Sequence, residues 1–428
     1  MAELNFLSVL TVLFAATTWF YFRKPASSIQ DNISLNSTYD YIIDLFFISQ
    51  QVNYWPRGRV LGGSSSLNYM AYVRGSRHDY DLWAAEGCDG WSYKDVLPYF
   101  IKSEDNRVPW LQDSAYHGKG GILKVSPGQA TNLNTYYGKA MQELGYDIID
   151  CNGWSQIGYE PMTLTTMNGA RCNTARSFLQ TAVMRKNLHI SVNSQVSKVL
   201  LKNKIAYGVE FIRGNRKHRI NARKEVILSG GAINTPQILM LSGIGPRKHL
   251  ESLEIPVVAD LPVGQNLQDH LFVPLNFFPN VSLAITPEKA GTLWNNIVYK
   301  TTGKALKHLG NLESILADTY LPFPGCTKHK IPSDEYLECY IRNFAQTVYH
   351  PTTTCRMGKT DDPTTVVGSD LRVKGISNLR VADASVMRYV VSANTNAPTI
   401  MIGEKAADLI RGIDTVKDIK LKLKNVKS

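Results

Sequence analysis

The stretch from Glu225 to Pro246, EVILSGGAINTPQILMLSGIGP, constrains this chain more than any other. Val226, Ile227 and Leu228 form a continuous apolar run, which marks a strand covered on both faces, as in a parallel sheet. Gly230 and Gly231 follow, where the backbone has to turn sharply and lie close to a neighbour. Asn234 or Thr235 is expected to cap the next helix, with Pro236 in its first turn and Gly243 at its end. A strand, a glycine turn and a helix in that order present backbone N–H groups to a nucleotide. The same arrangement also occurs as a plain packing unit, so the stretch by itself leaves its ligand open.

Other segments fill in an α/β core with an added β-rich region. Tyr39 to Asp44 (YDYIID) reads as a short strand, and Leu379 to Met387 as a strand and turn. His189 to Gly214 alternates apolar and polar residues and predicts two or three antiparallel strands. Trp91 to Phe100 predicts a helix capped by Ser92 and ending near Pro98, and Ala397 to Gly412 predicts another. No internal repeats or low-complexity blocks occur.

At 428 residues the chain is long enough for two or three domain cores. Its 44% hydrophobic and 19% charged residues exclude a disordered or fibrous protein. The net charge of +11 is partly a tail effect: Arg411 to Ser428 carries six Lys/Arg against two Asp. No basic motif interleaved with aromatics accompanies it, so the tail reads as solvated and no nucleic-acid partner is expected. The six cysteines are widely spaced with no C-x-x-C pair, which argues against a metal site. One or two disulfides are compatible with an exported chain.

The N-terminus points to export. Eighteen uncharged residues, Asn5 to Phe22, precede Arg23 and Lys24. Residues 1–24 therefore form either a signal peptide or a membrane anchor, with a buried helix as the plain alternative. The glycosylation sequons at Asn32, Asn36 and Asn280 fit a secreted or membrane-anchored chain facing the lumen or exterior. The basic flank instead favours a cytoplasmic following segment, so the topology stays open.

A second stretch, PRGRVLGGSSSLNYMAYVRG from Pro56 to Gly75, has too little side chain to build a core. It is either a surface loop or, because an apolar-spaced element follows at once, a buried loop whose donors need a polar partner such as a cofactor.

GRVLGGSSSLNYMAYVRG and GGAINTPQILMLSGIGP together resemble the two signature motifs of the glucose–methanol–choline (GMC) oxidoreductases, with the animal glucose dehydrogenase branch most similar. VGQNLQDH (Val263 to His270) and the run from YHPTTTCRMG to NTNAPTIMIGEKAADLI are similar to further family motifs. The resemblance spans about 54–273 and 334–410. It implies a Rossmann-like FAD-binding region over 39–273, a β-rich substrate region shortened to 274–334, a C-terminal family region over 335–412, and the basic tail over 413–428. The implied reaction is oxidation of an alcohol or sugar CH–OH group, with FAD taking hydride and passing electrons to a quinone or oxygen.

The resemblance also implies residue roles. Val60, Gly62, Gly63, Ser64 and Asn68 would lie along the flavin and its ribityl chain, Val196 would touch the adenine end, and Asp383 and Ala384 would sit by the pyrophosphate. Thr395 and Asn396, through Pro398, would meet the pyrimidine edge of the flavin, where a helix start favours negative charge. His350 matches the catalytic base, and an alcohol needs such a base before it releases hydride. Asn394 matches the second active-site position, a hydrogen-bond donor to the developing alkoxide. Leu67 stands where some relatives attach FAD through histidine, so the flavin is expected to be non-covalent. No metal is implied.

The chain also departs from the family pattern. After YDYIID relatives carry a G-x-G-x-x-G turn, whereas this chain continues DLFFISQQVNYWPRG. Arg388 stands where proline is usual and Ala393 where glycine is usual. Two readings follow: an FAD-dependent oxidoreductase, or a catalytically silent truncated relative that holds FAD weakly or not at all.

Overall fold

The computed structural model describes residues 38–44, 55–128, 132–272, 277–279, 317–320, 324–331 and 333–423. The apolar run Val226–Leu228 lies at the centre, with all three side chains buried. It ends the longest strand of a five-stranded sheet made by β1 (Thr38–Asp44), β2 (Gln195–Lys202), β3 (Ile205–Arg213), β4 (Arg216–Leu228) and β5 (Leu379–Val381).

β4 has two halves with different partners. Its first half pairs antiparallel with β3, from Arg213↔Arg216 to Gly208↔Asn221, and β3 pairs antiparallel with β2. The turns are short because their residues accept positive φ: Asn203 (52°) and Lys204 (61°) in one, Gly214 (55°) and Asn215 (62°) in the other. Two consecutive left-handed residues match the twist of the flanking strands. The second half of β4 is flanked in parallel on both sides, by β1 (Asp44↔Leu228) and by β5 (Val381↔Leu228). Parallel neighbours need long crossovers, so residues far apart in sequence emerge together at the ends of β4 and β5.

Helices α1 (Arg77–Ala85), α2 (Tyr93–Ser103), α3 (Gly231–Leu241), α4 (Asp334–Phe344), α5 (Asn396–Arg411) and α6 (Lys417–Leu423) accompany the sheet. A capping box starts α1, with Ser76 and Asp79 satisfying each other's backbone N–H. α2 runs through Pro98 to Ser103 instead of ending near the proline. Proline removes one backbone bond there, but Val96, Leu97, Tyr99 and Phe100 are all buried, and that burial outweighs the loss. α3 begins at Gly231, earlier than an Asn234 or Thr235 cap would allow, and Pro236 lies inside it.

The basic tail is not wholly solvated. Val416 is buried, Thr415 donates from its hydroxyl to Asp408 at 2.9 Å, and α6 packs against α2. The buried Asp408 needs donors, and the first residues after α5 supply them. The apolar N-terminal segment 1–24, the three sequons and the motif-free segment 45–54 lie outside the described residues. No described helix is long and apolar enough to cross a membrane. Between 274 and 334 the described parts are the antiparallel pair Phe277–Pro279 with Ala317–Tyr320 and the region of a Cys326–Cys339 disulfide. The other four cysteines are free.

A largely buried ionic cluster ties the segment after the glycine–serine loop to a small sheet in which Glu104–Asn106 and Leu123–Pro127 run parallel. Arg74 meets Glu104 at 2.8 Å with both side chains fully buried. His117 is held between Glu104 on Nδ1 and Asp150 on Nε2, each at 2.9 Å. Burial alone would lower its proton affinity, but hydrogen bonds to the Asp150 and Glu104 carboxylates outweigh it and raise the pKa. A raised histidine pKa stabilises the fold below the unfolded value of about 6.5, and that contribution is lost as pH rises through the folded pKa. His117→Gln is expected to destabilise the protein by roughly 3–5 kcal/mol at pH 6, the cost of breaking a buried ion pair. The gap to the parent in thermal-unfolding midpoint should narrow towards alkaline pH; a gap unchanged from pH 6 to 9 would rule out a charged His117.

Candidate active site

The ends of β4 and β5 are locked by one carboxylate. Asp383 accepts from Gly231 N at 2.9 Å and from the Thr235 hydroxyl at 2.6 Å through Oδ2, and from Ser385 N at 2.8 Å through Oδ1. Thr235 in turn accepts from Gly230 N at 2.9 Å. This explains the early start of α3: its first amides are met by Asp383 and by Thr235 reaching back, with no separate cap residue. Burial raises the Asp383 pKa, and its hydrogen bonds oppose that. Asp383 and Ala384 therefore act first as the clasp between two turns. Ala384 opens a 3-10 turn and accepts from Thr353 N at 3.3 Å.

The glycine–serine loop folds back on itself. A side chain at Gly58 would meet the Gly63 carbonyl oxygen at 2.0 Å, so only glycine fits. Gly62 has φ of 92°, and an added Cβ would come within 2.7 Å of Ser66 Oγ. The serines are fastenings: Ser64 Oγ accepts from Gly58 N at 3.3 Å, Ser65 Oγ accepts from Thr174 N at 3.0 Å, and Ser66 Oγ accepts from Asn173 at 2.8 Å. Asn68 accepts from Arg171 Nη1 at 2.7 Å. Val60 and Leu67 stay more than half exposed (55% and 58%), apolar surface that a flat ligand on the loop would cover.

His350 and Asn394, 44 residues apart, are brought side by side. Asn394 Nδ2 lies 3.2 Å from His350 Nε2. An amide nitrogen carries only hydrogens, so Asn394 donates and Nε2 holds a lone pair. The segment carrying His350 is fixed by VGQNLQDH: Gln268 and Thr352 exchange backbone bonds, and Asp269 Oδ1 accepts from both His350 N (2.9 Å) and His270 N (2.8 Å). Thr347 donates its hydroxyl to the other Asp269 oxygen. The Asn394 side is tied in by Gln268 Oε1, which accepts from Val390 N at 2.9 Å, and by Asp79, which accepts from Ser392 N at 2.8 Å. Burial first, and then the neighbouring His270, push the His350 pKa down to about 4.

Thr395 precedes α5 and Asn396 is its first residue, so the segment after Asn394 ends at a helix start as expected. Val196 lies at the beginning of β2, paired with Phe211, on a strand separate from the Asp383 clasp. The motif reading left out Gln268, Asp269 and His270, and the latches Asn173 and Thr174. The available signal was the dense polar run closing VGQNLQDH, which had a family resemblance but no assigned role.

The two departures are accommodated. Arg388, with its side chain 10% exposed, bridges Glu86 at 3.0 Å and Asp362 at 2.8 Å. Ala393 Cβ lies 3.6 Å from where a Gly75 side chain would begin, an ordinary packing distance.

Two observations at this site are compatible with a bound polar cofactor such as FAD. Side-chain directions at Gly63 and Gly231 are open, with nothing within 4 Å. Asn234 Oδ1 and Ser385 Oγ are buried polar atoms without a partner, beside the Thr235–Asp383 clasp in sequence. Asp383→Ala orphans three donors and is expected to cost about 3 kcal/mol or more, against about 1 kcal/mol for Thr235→Val. Equal unfolding midpoints for the two variants would show that Asp383 is not the clasp.

Comparison with known proteins shows the family and the fold. Family profiles described as GMC oxidoreductase match residues 13–272 and 296–403. Mitochondrial choline dehydrogenase of Homo sapiens is 36% identical, over 85% of this chain and 77% of its own length. Glucose dehydrogenase (FAD, quinone) of Drosophila pseudoobscura pseudoobscura is 34% identical, over 85% and 75%. The alignment with the human protein runs over 459 positions, longer than this 428-residue chain, so that relative carries internal segments absent here. Pyridoxine 4-oxidase from Mesorbium loti superposes with a TM-score of 0.69 at 26% identity, covering 84% of this chain and 85% of that one. Formate oxidase from Aspergillus oryzae, at 22% identity over 85% of both chains, shares the fold with a TM-score of 0.70. The chain belongs to the GMC oxidoreductase family, whose members are FAD-binding flavoproteins.

Proposed function

We propose that the chain oxidises a CH–OH group of a small alcohol or sugar, with non-covalent FAD as hydride acceptor and a quinone or oxygen as the final acceptor. The observation that carries this is the contact between His350 Nε2 and Asn394 Nδ2, a lone pair and a donor side by side that a substrate hydroxyl could engage in place of each other. A substrate hydroxyl placed there gives its proton to His350 Nε2, while Asn394 donates to the oxygen as negative charge develops. FAD, when bound, supplies the electron sink for the hydride. Gly62, Gly63, Ser64 and Asn68 would hold its ring and ribityl chain, Thr395 and Asn396 its pyrimidine edge. Asp383 and Ala384 would shape the pyrophosphate end, and Val196 the adenine end. The names of the relatives, a choline and a glucose dehydrogenase, support an alcohol or sugar substrate.

A second reading, a silent relative with weak or no FAD binding, is favoured by the 459-position alignment and by a segment after β1 without the glycine fingerprint. The purified 428-residue protein separates the two: stoichiometric flavin absorbance supports the enzyme, and a colourless preparation that stays colourless with added FAD supports the silent form. We also infer export to an oxidising compartment, supported by the Cys326–Cys339 disulfide and the apolar N-terminal run. Expression as a fully reduced cytosolic protein would contradict it.

Two outcomes test the roles. His350→Ala should lower turnover by roughly 10²–10⁴-fold with flavin retained, and Asn394→Ala by no more than about 10²–10³-fold. Turnover of His350→Ala within about threefold of the parent would remove it from the mechanism. Because catalysis needs an unprotonated Nε2 and the His350 pKa is depressed to about 4, kcat/KM should stay flat from neutral pH downward and fall only as pH approaches that value. An acid limb near the ordinary histidine range would show that His350 does not titrate as a depressed base.

A further inference from the structure

His270 has no role in the reaction as described so far, yet its ring meets that of His350. The two Nδ1 atoms are 2.9 Å apart, and the ring planes cross at 87° with centroids 5.2 Å apart. A hydrogen bond between two imidazole nitrogens needs one proton and one lone pair. The partner of Nε2 decides which ring has which. Asn394 donates to Nε2, so a neutral His350 carries its proton on Nδ1, and His270 Nδ1 is the acceptor.

We propose that His270 is the positioning residue of the base: its Nδ1 lone pair accepts His350 Nδ1–H and so selects the tautomer whose Nε2 is free to take the substrate proton. This rests on His350 being the base. The arrangement does with a neutral imidazole what a carboxylate does behind the histidine of a hydrolytic triad. A neutral acceptor orients the ring without adding negative charge, so the base keeps a low proton affinity. Asp269, the neighbouring carboxylate, spends Oδ1 on the two backbone amides and Oδ2 on Thr347. Among the described residues, the titratable groups acting on His350 are His270, which lowers its proton affinity, and Asp269, which raises it. The residue facing it from the other side, Asn394, is neutral.

The proton bookkeeping closes on these two rings. The substrate O–H bond breaks, an Nε2–H bond forms, and the Nδ1–H···Nδ1 contact holds the ring in place until His350 releases its proton to solvent. The flavin is not needed to set this contact, so the tautomer can be read without it.

The test uses ring-nitrogen NMR of the full chain with ¹⁵N-labelled histidine, alongside pH profiles. In the parent, His350 is expected as the Nδ1–H tautomer, and in His270→Ala as a mixture shifted to Nε2–H. His270→Ala should lower kcat/KM by roughly 10–100-fold with flavin retained. His270→Asn, whose amide oxygen can accept the same proton, should restore most of it. His270→Asp should move the acid limb of the profile to higher pH, which a purely structural role would not do. A parent spectrum with His350 protonated on Nε2 would overturn the proposal, as would unchanged kcat/KM and spectrum in His270→Ala. If His350→Ala turns over normally, it is the base assignment that fails, and the ring-nitrogen spectrum still decides the tautomer. If His270→Ala does not fold, the parent spectrum and the aspartate profile carry the decision.

Discussion

The parallel pairing of the last three residues of β4 on both sides is the constraint from which the site follows. Because β1 and β5 both run with β4, the chain leaves β4 and β5 at the same edge of the sheet, more than 150 residues apart in sequence. Such an edge is where open α/β sheets place their ligands. The turns that meet there would carry unpaired amides, and Asp383 satisfies those of Gly231 and Ser385 while binding the Thr235 hydroxyl. A single acceptor thus converts two independent turns into one rigid rim, at the cost of keeping a carboxylate away from water.

The histidine pair hangs from that rim by a second set of polar contacts. The backbone around Thr352 to Met357 is stitched to the turn after Asp383, with Thr353 N bonding Ala384 and Cys355 N bonding Ser385. On the other side Gln268 holds both Thr352 and Val390. Position of the base therefore follows from the clasp at Asp383 through a few fixed bonds, with no long side chain left to find its own place. Sites held this way keep their geometry before substrate arrives.

Local pattern carried much of this. The apolar run 226–228 sits in the buried strand it predicted, β2 and β3 form where residues alternate, and α5 spans Asn396–Arg411 against an expected 397–412. The limits lay where tertiary partners override local rules. Pro98 does not end α2, because four buried side chains around it pay the lost bond. Asn234 and Thr235 do not precede α3 as its cap, because Asp383 and a Thr235 already inside the helix meet its first amides. The sequence motifs named His350 and Asn394, and the fold puts them in contact. His270 was visible only as the end of a motif, since spacing along the chain carries no information about a ring 80 residues away.

Arg388 has a consequence for how this chain can change over generations. Its guanidinium is shared by Glu86 and Asp362, and the Tyr389 hydroxyl also leans on Glu86, at 2.7 Å. Once such a set exists, each member is judged against the other three. Replacing Arg388 by proline would strand two partly buried acids at once. Losing either acid first would leave a half-neutralised cation beside Gly358, whose own side-chain direction comes within 3.0 Å of the Arg388 Nη1. The four residues are coupled: a change at one is felt by the others, so simultaneous changes at several of them are better tolerated than a single one.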